Sequence, residues 1–376
     1  MGKIDRYLLR QFLWIFVIFF SSFLGLFVVA DGVNNFEEFS TYGKDHGGFL
    51  KVVGEYYGYR AFAFFDQISP LLILIAAMFT IAAFRRHNEM TALLAAGISK
   101  SRIVRPIIAA AIVFALLAVA NRELMIPSIR EKLNFKAQDL LSKARPVEPV
   151  YDNQTDISIS CRGILRRTQT LVEPNFSMPL QLNHYGRQVQ ARRAVYRPPT
   201  ADRPGGYHLQ EVQYPQDLAT KPSLKVGDRA ILITPLDADW LDKRDCFIVS
   251  GVDFQLLVDG QSWRRFSSTP ELIAALGNPS LQHGAGVQVK IHARFVKPLL
   301  DVTLLFLGLP LVLSRRPHNL FVSVGFCVLL VLVYMVVLLG CHHLGSNLVL
   351  QPALAAWAPL MIFVPLAVVM AEPLRE

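Results

Sequence analysis

Apolar residues crowd toward the two ends of this chain, and the stretch between them alternates. Residues 11–30 (QFLWIFVIFFSSFLGLFVVA) carry no charge, and residues 317–371 contain no Asp, Glu, Lys or Arg. A bilayer core about 30 Å thick takes roughly 20 apolar residues as helix, so the second run holds two spans and a turn. Six spans are expected: about 11–30, 61–84, 103–120, 295–314, 319–341 and 351–370. The fourth, which contains Lys297 and Asp301, has the weakest hydropathy. The first run is longer than the about 7–15 apolar residues of a cleavable signal and reads as a span, although VVA before Asp31 resembles a cleavage site.

The middle of the chain changes period. Residues 128–143 (SIREKLNFKAQDLLSK) predict a helix continuing outward from the third span. TDISIS, RQVQARRAVY, YHLQEVQY, RAILITPL and DCFIVSGVDFQLLV then follow as short β-type runs split by Pro, Gly and Asp. Such spacing predicts an antiparallel sandwich or jellyroll. Residues 269–277 (TPELIAALG) predict a helix capped by Thr269 that leads back to the apolar region. The expected fold class is an α-helical polytopic membrane protein, three spans plus three, with an inserted β-jellyroll-like domain. Its parts are residues 1–120 with a short helix at 87–100, the inserted domain at 121–290 with flanking helices, and residues 291–376.

Composition agrees with this pattern. Of 376 residues 52% are hydrophobic and 18% charged, against about 25% charged in soluble domains. The formal charge of +9 would suggest nucleic acid in a soluble protein. Here Lys and Arg sit beside apolar runs, where they set topology. With the N-terminus inside, the inner segments hold eleven basic residues: Lys3, Arg6, Arg10, Arg85, Arg86, Lys100, Arg102, Arg105, Arg315, Arg316 and Arg375. The outer short loops hold three, Lys44, Lys51 and Arg60. Both termini are therefore expected in the cytoplasm and the middle domain outside. No Walker-type loop occurs, so ATP hydrolysis is not expected of this chain.

Residues 85–102 (RRHNEMTALLAAGISKSR) lie between the second and third spans. Met90, Leu93, Leu94, Gly97 and Ile98 recur at helical spacing as one stripe. Thr91, Ala92, Ala95, Ala96 and Ser99 form a second face of small side chains. Two readings fit: a helix resting on lipid headgroups, or a helix that enters a groove on a cytoplasmic partner.

This segment resembles the coupling helix of the LptF/LptG (YjgP/YjgQ) permease family. The matching features are Glu89, then MTALLAA, then Gly97-Ile98-Ser99. DRYLLRQF (5–12), SPLLILIAAMFTIAAF (69–84) and IHARFVKPLLDVTLLFLGLPL (291–311) resemble that family in the same order, with Arg294, Pro298 and Pro310 in place. The resemblance implies a lipopolysaccharide-export permease whose coupling helix, residues Glu89, Met90, Leu93, Leu94, Gly97, Ile98 and Ser99, docks on an LptB-type ATPase. That partner would use ATP and Mg, and this chain would bind no cofactor. A second LptF/LptG-type permease would complete a dimer. An external jellyroll would pass lipopolysaccharide to an LptC-type and LptA-type bridge. One departure stands out: family members often carry basic residues past the first span, and this chain has ADGVNNFEEF there, with Asp31, Glu37 and Glu38.

Other residues carry weaker expectations. Arg60, Arg294 and Lys297 fall at outer span ends, where they either meet lipid phosphates or anchor the helices by snorkelling. Asp66 and Asp301 lie near the same ends, and Lys297 and Asp301 are spaced to neutralise each other. Cys341-His342-His343 form a short run that is poorly arranged for a metal if it lies on a loop. Cys161 and Cys246 lie in the external domain, where a disulfide is permitted. An intramembrane enzyme would need a nucleophile with a base or a metal pair, and neither G-x-S-x-G nor H-E-x-x-H occurs. A permease for another lipid or a lipoprotein and a non-transporting scaffold remain the other readings.

Overall fold

The computed structural model describes residues 2–45, 48–134, 149–165, 168–179, 186–200, 203–226, 229–277, 280, 284–313 and 320–371. The chain divides into two compact units, Met1–Leu133 with Gly284–Glu376, and Asn134–His283. The first unit is helical. Its elements are α1 (Lys3–Asn34), α2 (Phe36–Asp45), α3 (Phe49–Arg86), α4 (Glu89–Ala95) and α5 (Lys100–Ala120). A π-helical turn, Asn121–Met125, follows, then the short helices α6 (Ile126–Ser128) and α7 (Arg130–Asn134). After the β unit come α10 (Ala285–Leu313), α11 (Leu320–Ser346) and α12 (Pro352–Met370).

Among the described residues five helical stretches are long and apolar enough to cross a membrane: Lys3–Asn34, Phe49–Arg86, Lys100–Ser128, Gly325–Ser346 and Pro352–Met370. Helix α10 is the packing centre and touches α3, α5, α11 and α12. Its Val296, Leu300, Leu304 and Leu307 are buried in one cluster with Leu8 and Phe12 of α1, Leu72 and Ile81 of α3, and Ile107 of α5. This position explains the low hydropathy of residues 295–314. A helix packed on several others can carry Lys297 and Asp301 on its inner side, although Phe295 and Leu299 beside them face outward. By contrast α1 presents Trp14, Val17, Ile18, Leu26 and Val29 outward. At Gly308 a Cβ would collide with Leu74 Cδ1 of α3, so the absence of a side chain sets the closest approach of α10 to α3.

Several boundaries differ from the sequence expectation. The helical unit takes in 121–133 and 284–290, because the third span continues through the π turn and α10 begins at Ala285. The outward helix expected over 128–143 is seen through Asn134, and its remainder lies outside the described residues. Cys341, His342 and His343 are not on a loop, since α11 runs on to Ser346. No group of three metal-ligating side chains occurs among the described residues.

The second unit is one eight-stranded antiparallel sheet in the order β1-β2-β3-β4-β5-β8-β7-β6. The strands are β1 (Val150–Asp152), β2 (Ile157–Leu165), β3 (Thr170–Ser177), β4 (Gln188–Arg197), β5 (Gly206–Tyr214), β6 (Leu224–Val226), β7 (Arg229–Ile233) and β8 (Cys246–Val249). Alternate residues point to one face. Ile157, Ile159 and Cys161 of β2, Leu171 of β3, Val189 and Ala191 of β4, Tyr207 and Leu209 of β5, and Cys246 and Ile248 of β8 gather there in one core. The sheet curls around that face. Buried Asp152 in β1 accepts a 2.6 Å bond from Ser250 Oγ just past β8, five places away in strand order. Phe254 and Leu257 of α8 (Phe254–Phe266) join the same core.

Helix α9 (Thr269–Leu276) follows. Its N-cap is Ser268, not Thr269: Ser268 Oγ accepts from Glu271 N–H, and the Glu271 carboxylate accepts from Ser268 N–H. The S-T-P-E spacing makes this capping box reciprocal, which Thr269 cannot match one residue later.

Candidate functional site

The segment between α3 and α5 is shorter as a helix than its periodicity suggests. Asn88 enters at φ 55°, a left-handed conformation that Asn tolerates. Helix α4 ends at Ala95, so the stripe from Met90 to Ile98 is not one continuous helical face. Gly97 has φ 81°. Its N–H bonds Leu94 O at 3.0 Å, and Ile98 N–H bonds Leu93 O at 3.0 Å. This is a Schellman ending with glycine at the left-handed position. Leu93 and Ile98 each pack against the helical core. Ser99 then caps α5. The sequence Gly97-Ile98-Ser99 is thus a stop and a start.

The turn leaves a defined surface. Met90 is buried, while Thr91, Ala92, Leu94, Ala95 and Ala96 are exposed. Glu89 stands at the N-terminus of α4, where the helix dipole favours its charge. Tyr7 Oη of α1 donates to Glu89 Oε1 at 3.4 Å, and the Tyr7 ring lies against Phe84. Sequence reasoning missed Tyr7, whose partner is 82 residues away.

A second polar cluster ties α3, the π turn and α10. Arg122 Nε and Nη2 grip the Asp66 carboxylate at 2.7–3.2 Å. Lys297 Nζ donates to the Asp66 main-chain oxygen at 2.8 Å and lies 3.4 Å from Oδ1. Its hydrogen bonds thus go to Asp66, while Asp301, the neighbour its helical spacing suggests, lies one turn along α10. Arg294 Nη1 is 3.7 Å from Glu123 Oε1, and the Arg60 guanidinium lies 4.3 Å over the Tyr56 ring. Arg122 and Glu123 went unremarked in the sequence, although a charged pair directly after an apolar run was the available signal.

Past the first span, the acidic stretch forms the end of α1 and the amphipathic α2. Asp31 accepts a 2.8 Å bond from Tyr57 Oη, and Phe39 of α2 packs on Tyr56 and Tyr57.

In the β unit Cys161 and Cys246 are separate buried thiols. They belong to β2 and β8, with β3, β4 and β5 between them in strand order, and the permitted disulfide is not formed. Burial pushes the Cys161 thiol up to about 11 and that of Cys246 up as well. A thiol raised on folding contributes stability below its unfolded pKa and loses it as pH rises through the folded value. Alkylation of native Cys161 is expected to be negligible at pH 7.5, with the β unit losing stability from about pH 9 toward pH 11. Iodoacetamide labelling followed by mass spectrometry checks this, and rapid native labelling at pH 7.5 counts against it.

The fold and these clusters define a multi-pass membrane protein with one antiparallel β domain. The family model described as lipopolysaccharide export system permease LptF/LptG matches residues 6–158 and 249–372, and the chain belongs to that family. No curated protein matches the chain. The family match stops inside β2 and resumes at the last residue of β8, so it covers the helical unit and the margins of the sheet.

Proposed function

We propose that this chain is a permease subunit of an ABC transporter that extracts lipopolysaccharide from the inner membrane and passes it to a periplasmic bridge. In this reading α10 is the fourth of six spans, both termini are cytoplasmic and the β unit is periplasmic. The eleven-to-three asymmetry of basic residues supports that orientation. Helix α4 docks on an LptB-type ATPase, which supplies ATP and Mg. A second permease of the same family completes the dimer, and LptC-type and LptA-type proteins receive the lipid.

The observation that carries this reading is the α4 turn. Its exposed face is made of Thr91, Ala92, Leu94, Ala95 and Ala96, small enough for close approach by another protein. Glu89 stands at one end of it, and the flanking helices contribute Arg85, Arg86, Lys100 and Arg102. A lone acid among bases gives orientation to a partner with a basic groove. Co-purification with the ATPase tests it. Glu89→Ala is expected to weaken association about tenfold, the loss of one charge-assisted hydrogen bond. Gly97→Leu forces an L-residue into the left-handed region at about 1–2 kcal/mol and misdirects α4. Wild-type ATPase binding and lipid export in both variants would remove the docking assignment.

Arg60, Arg294 and Lys297 are the cations proposed to meet lipid phosphates. Arg294 and Lys297 already hold Glu123 and Asp66, so a phosphate reaches them by displacing a carboxylate. That internal pairing, with the acidic residues Glu37 and Glu38 on α2, favours a second reading in which the cargo is a lipid with fewer headgroup phosphates. Mass spectrometry of lipid co-purified with the intact complex separates the two.

A further inference from the structure

Three helices are irregular at one level of the helical unit. Pro70 in α3 has no N–H to give to Asp66 O, and Pro298 in α10 has none for Arg294 O. Directly after α5 the chain widens into the π turn Asn121–Met125. Such interruptions are where helices bend. Side chains from the neighbouring segments repair the gap in α3. Lys297 Nζ donates at 2.8 Å to the carbonyl that Pro70 leaves open, which Ser69 Oγ of α3 also reaches, more distantly, at 3.5 Å. Asn121 Nδ2 donates to Phe62 O, one turn earlier, at 2.9 Å. Arg122 holds the Asp66 carboxylate from the same π turn. A backbone break whose shorter bond comes from another helix's side chain loosens when that side chain leaves.

Lys297 also has a second acceptor available. Asp301 lies one turn along the same helix and is 5% exposed. Asp66, Glu123 and Asp301 face Arg122, Arg294 and Lys297 in this layer, three acids and three bases, so partners can exchange without leaving a net charge in the apolar unit.

We propose that this layer is a hinge with a two-position latch: Lys297 on Asp66 pins α10 to the break in α3, and transfer of Lys297 to Asp301 releases it. The structure shows the pinned position. The release step rests on the transport reading above, in which the spans must part to admit and discharge a lipid.

The test uses the full chain with its ATPase in nanodiscs of bacterial phospholipid. Backbone hydrogen exchange is read at residues 62–74, and ATP-driven lipid release is read separately. Lys297→Met is expected to speed exchange there about tenfold or more, the loss of a charged hydrogen bond to backbone. Lys297→Arg restores protection. Asp301→Asn leaves the pinned position intact, so exchange stays at the wild-type rate while lipid release slows. Unchanged exchange in Lys297→Met overturns the latch. Exchange raised equally by Lys297→Met and Asp301→Asn overturns the two positions and leaves only packing. Exchange needs neither lipid nor ATP, so a wild-type complex that exports no lipid but shows this exchange pattern defeats the transport reading and not the hinge.

Discussion

Asp66→Ala is expected to lower the stability of the helical unit by about 3 kcal/mol, because it takes the carboxylate from Arg122 and leaves Lys297 only the main-chain oxygen at position 66 and the nearby Asp301. The side chains of Arg122, Asp66 and Lys297 keep only 16%, 18% and 24% of their exposure. Water compensates little of the loss at that depth, and lipid compensates none. The deficit comes from the stranded charges more than from the missing bonds. Removing the cations as well, in Asp66→Ala/Arg122→Met/Lys297→Met, should therefore recover much of it. Tryptophan fluorescence during unfolding of the purified protein gives both values. A single variant as stable as wild type would show that the cluster is solvated, and a triple variant worse than the single one would show that the cations have other partners.

Gly308→Leu should be comparably damaging for a steric reason. A Cβ at that position already meets Leu74 Cδ1 of α3, and α10 is the helix around which the others pack. Overpacking a filled interior costs about 1–3 kcal/mol. Here the displaced neighbour is α3, so the cost should also appear as a lower yield of correctly assembled protein. Gly308→Ala should do the same more mildly. Leu74→Ala should offset Gly308→Ala in the double variant, since it vacates the space the new methyl takes. Size-exclusion profiles and unfolding midpoints of the four proteins check this, and additive losses in the double variant would place the clash elsewhere.

The spans were legible because uninterrupted apolar runs such as 11–30 have few alternatives to a membrane helix. Helix α10 was the hard case. Its Lys297 and Asp301 lower the hydropathy that a local reading depends on, and only three-dimensional packing shows why they are tolerated. The end of α4 shows a different limit. Ile98 keeps the helical spacing of Met90 and Leu94, yet Gly97 breaks the helix, and periodicity counts side chains without testing backbone angles. At Ser268 the capping box is present in S-T-P-E, but Thr269 before proline offers a competing N-cap of the same residue class. Strand character was plain in the alternation of Ile157, Ile159 and Cys161, whereas strand order was not, because pairing β5 with β8 depends on contacts far along the chain. Nothing local couples Pro70 to Lys297, or Tyr7 to Glu89.

The margins of the β unit meet. Asn153 N–H bonds Ser280 O at 3.0 Å, and Ser280 Oγ donates to Gln154 Oε1 at 3.0 Å. The residues just after β1 thus lie within a hydrogen bond of Ser280, past the last helix of the unit. A folded body whose chain ends adjoin can be exchanged for another with the same end spacing. The strands between those ends are then free to diverge, while the junction residues and the helical unit are not. This is the pattern of the family match, which lapses after Ser158 and returns at Val249. Chimeras that swap residues 153–280 for the corresponding domain of another member of the family should therefore insert and fold, which membrane fractionation and size-exclusion profiles check.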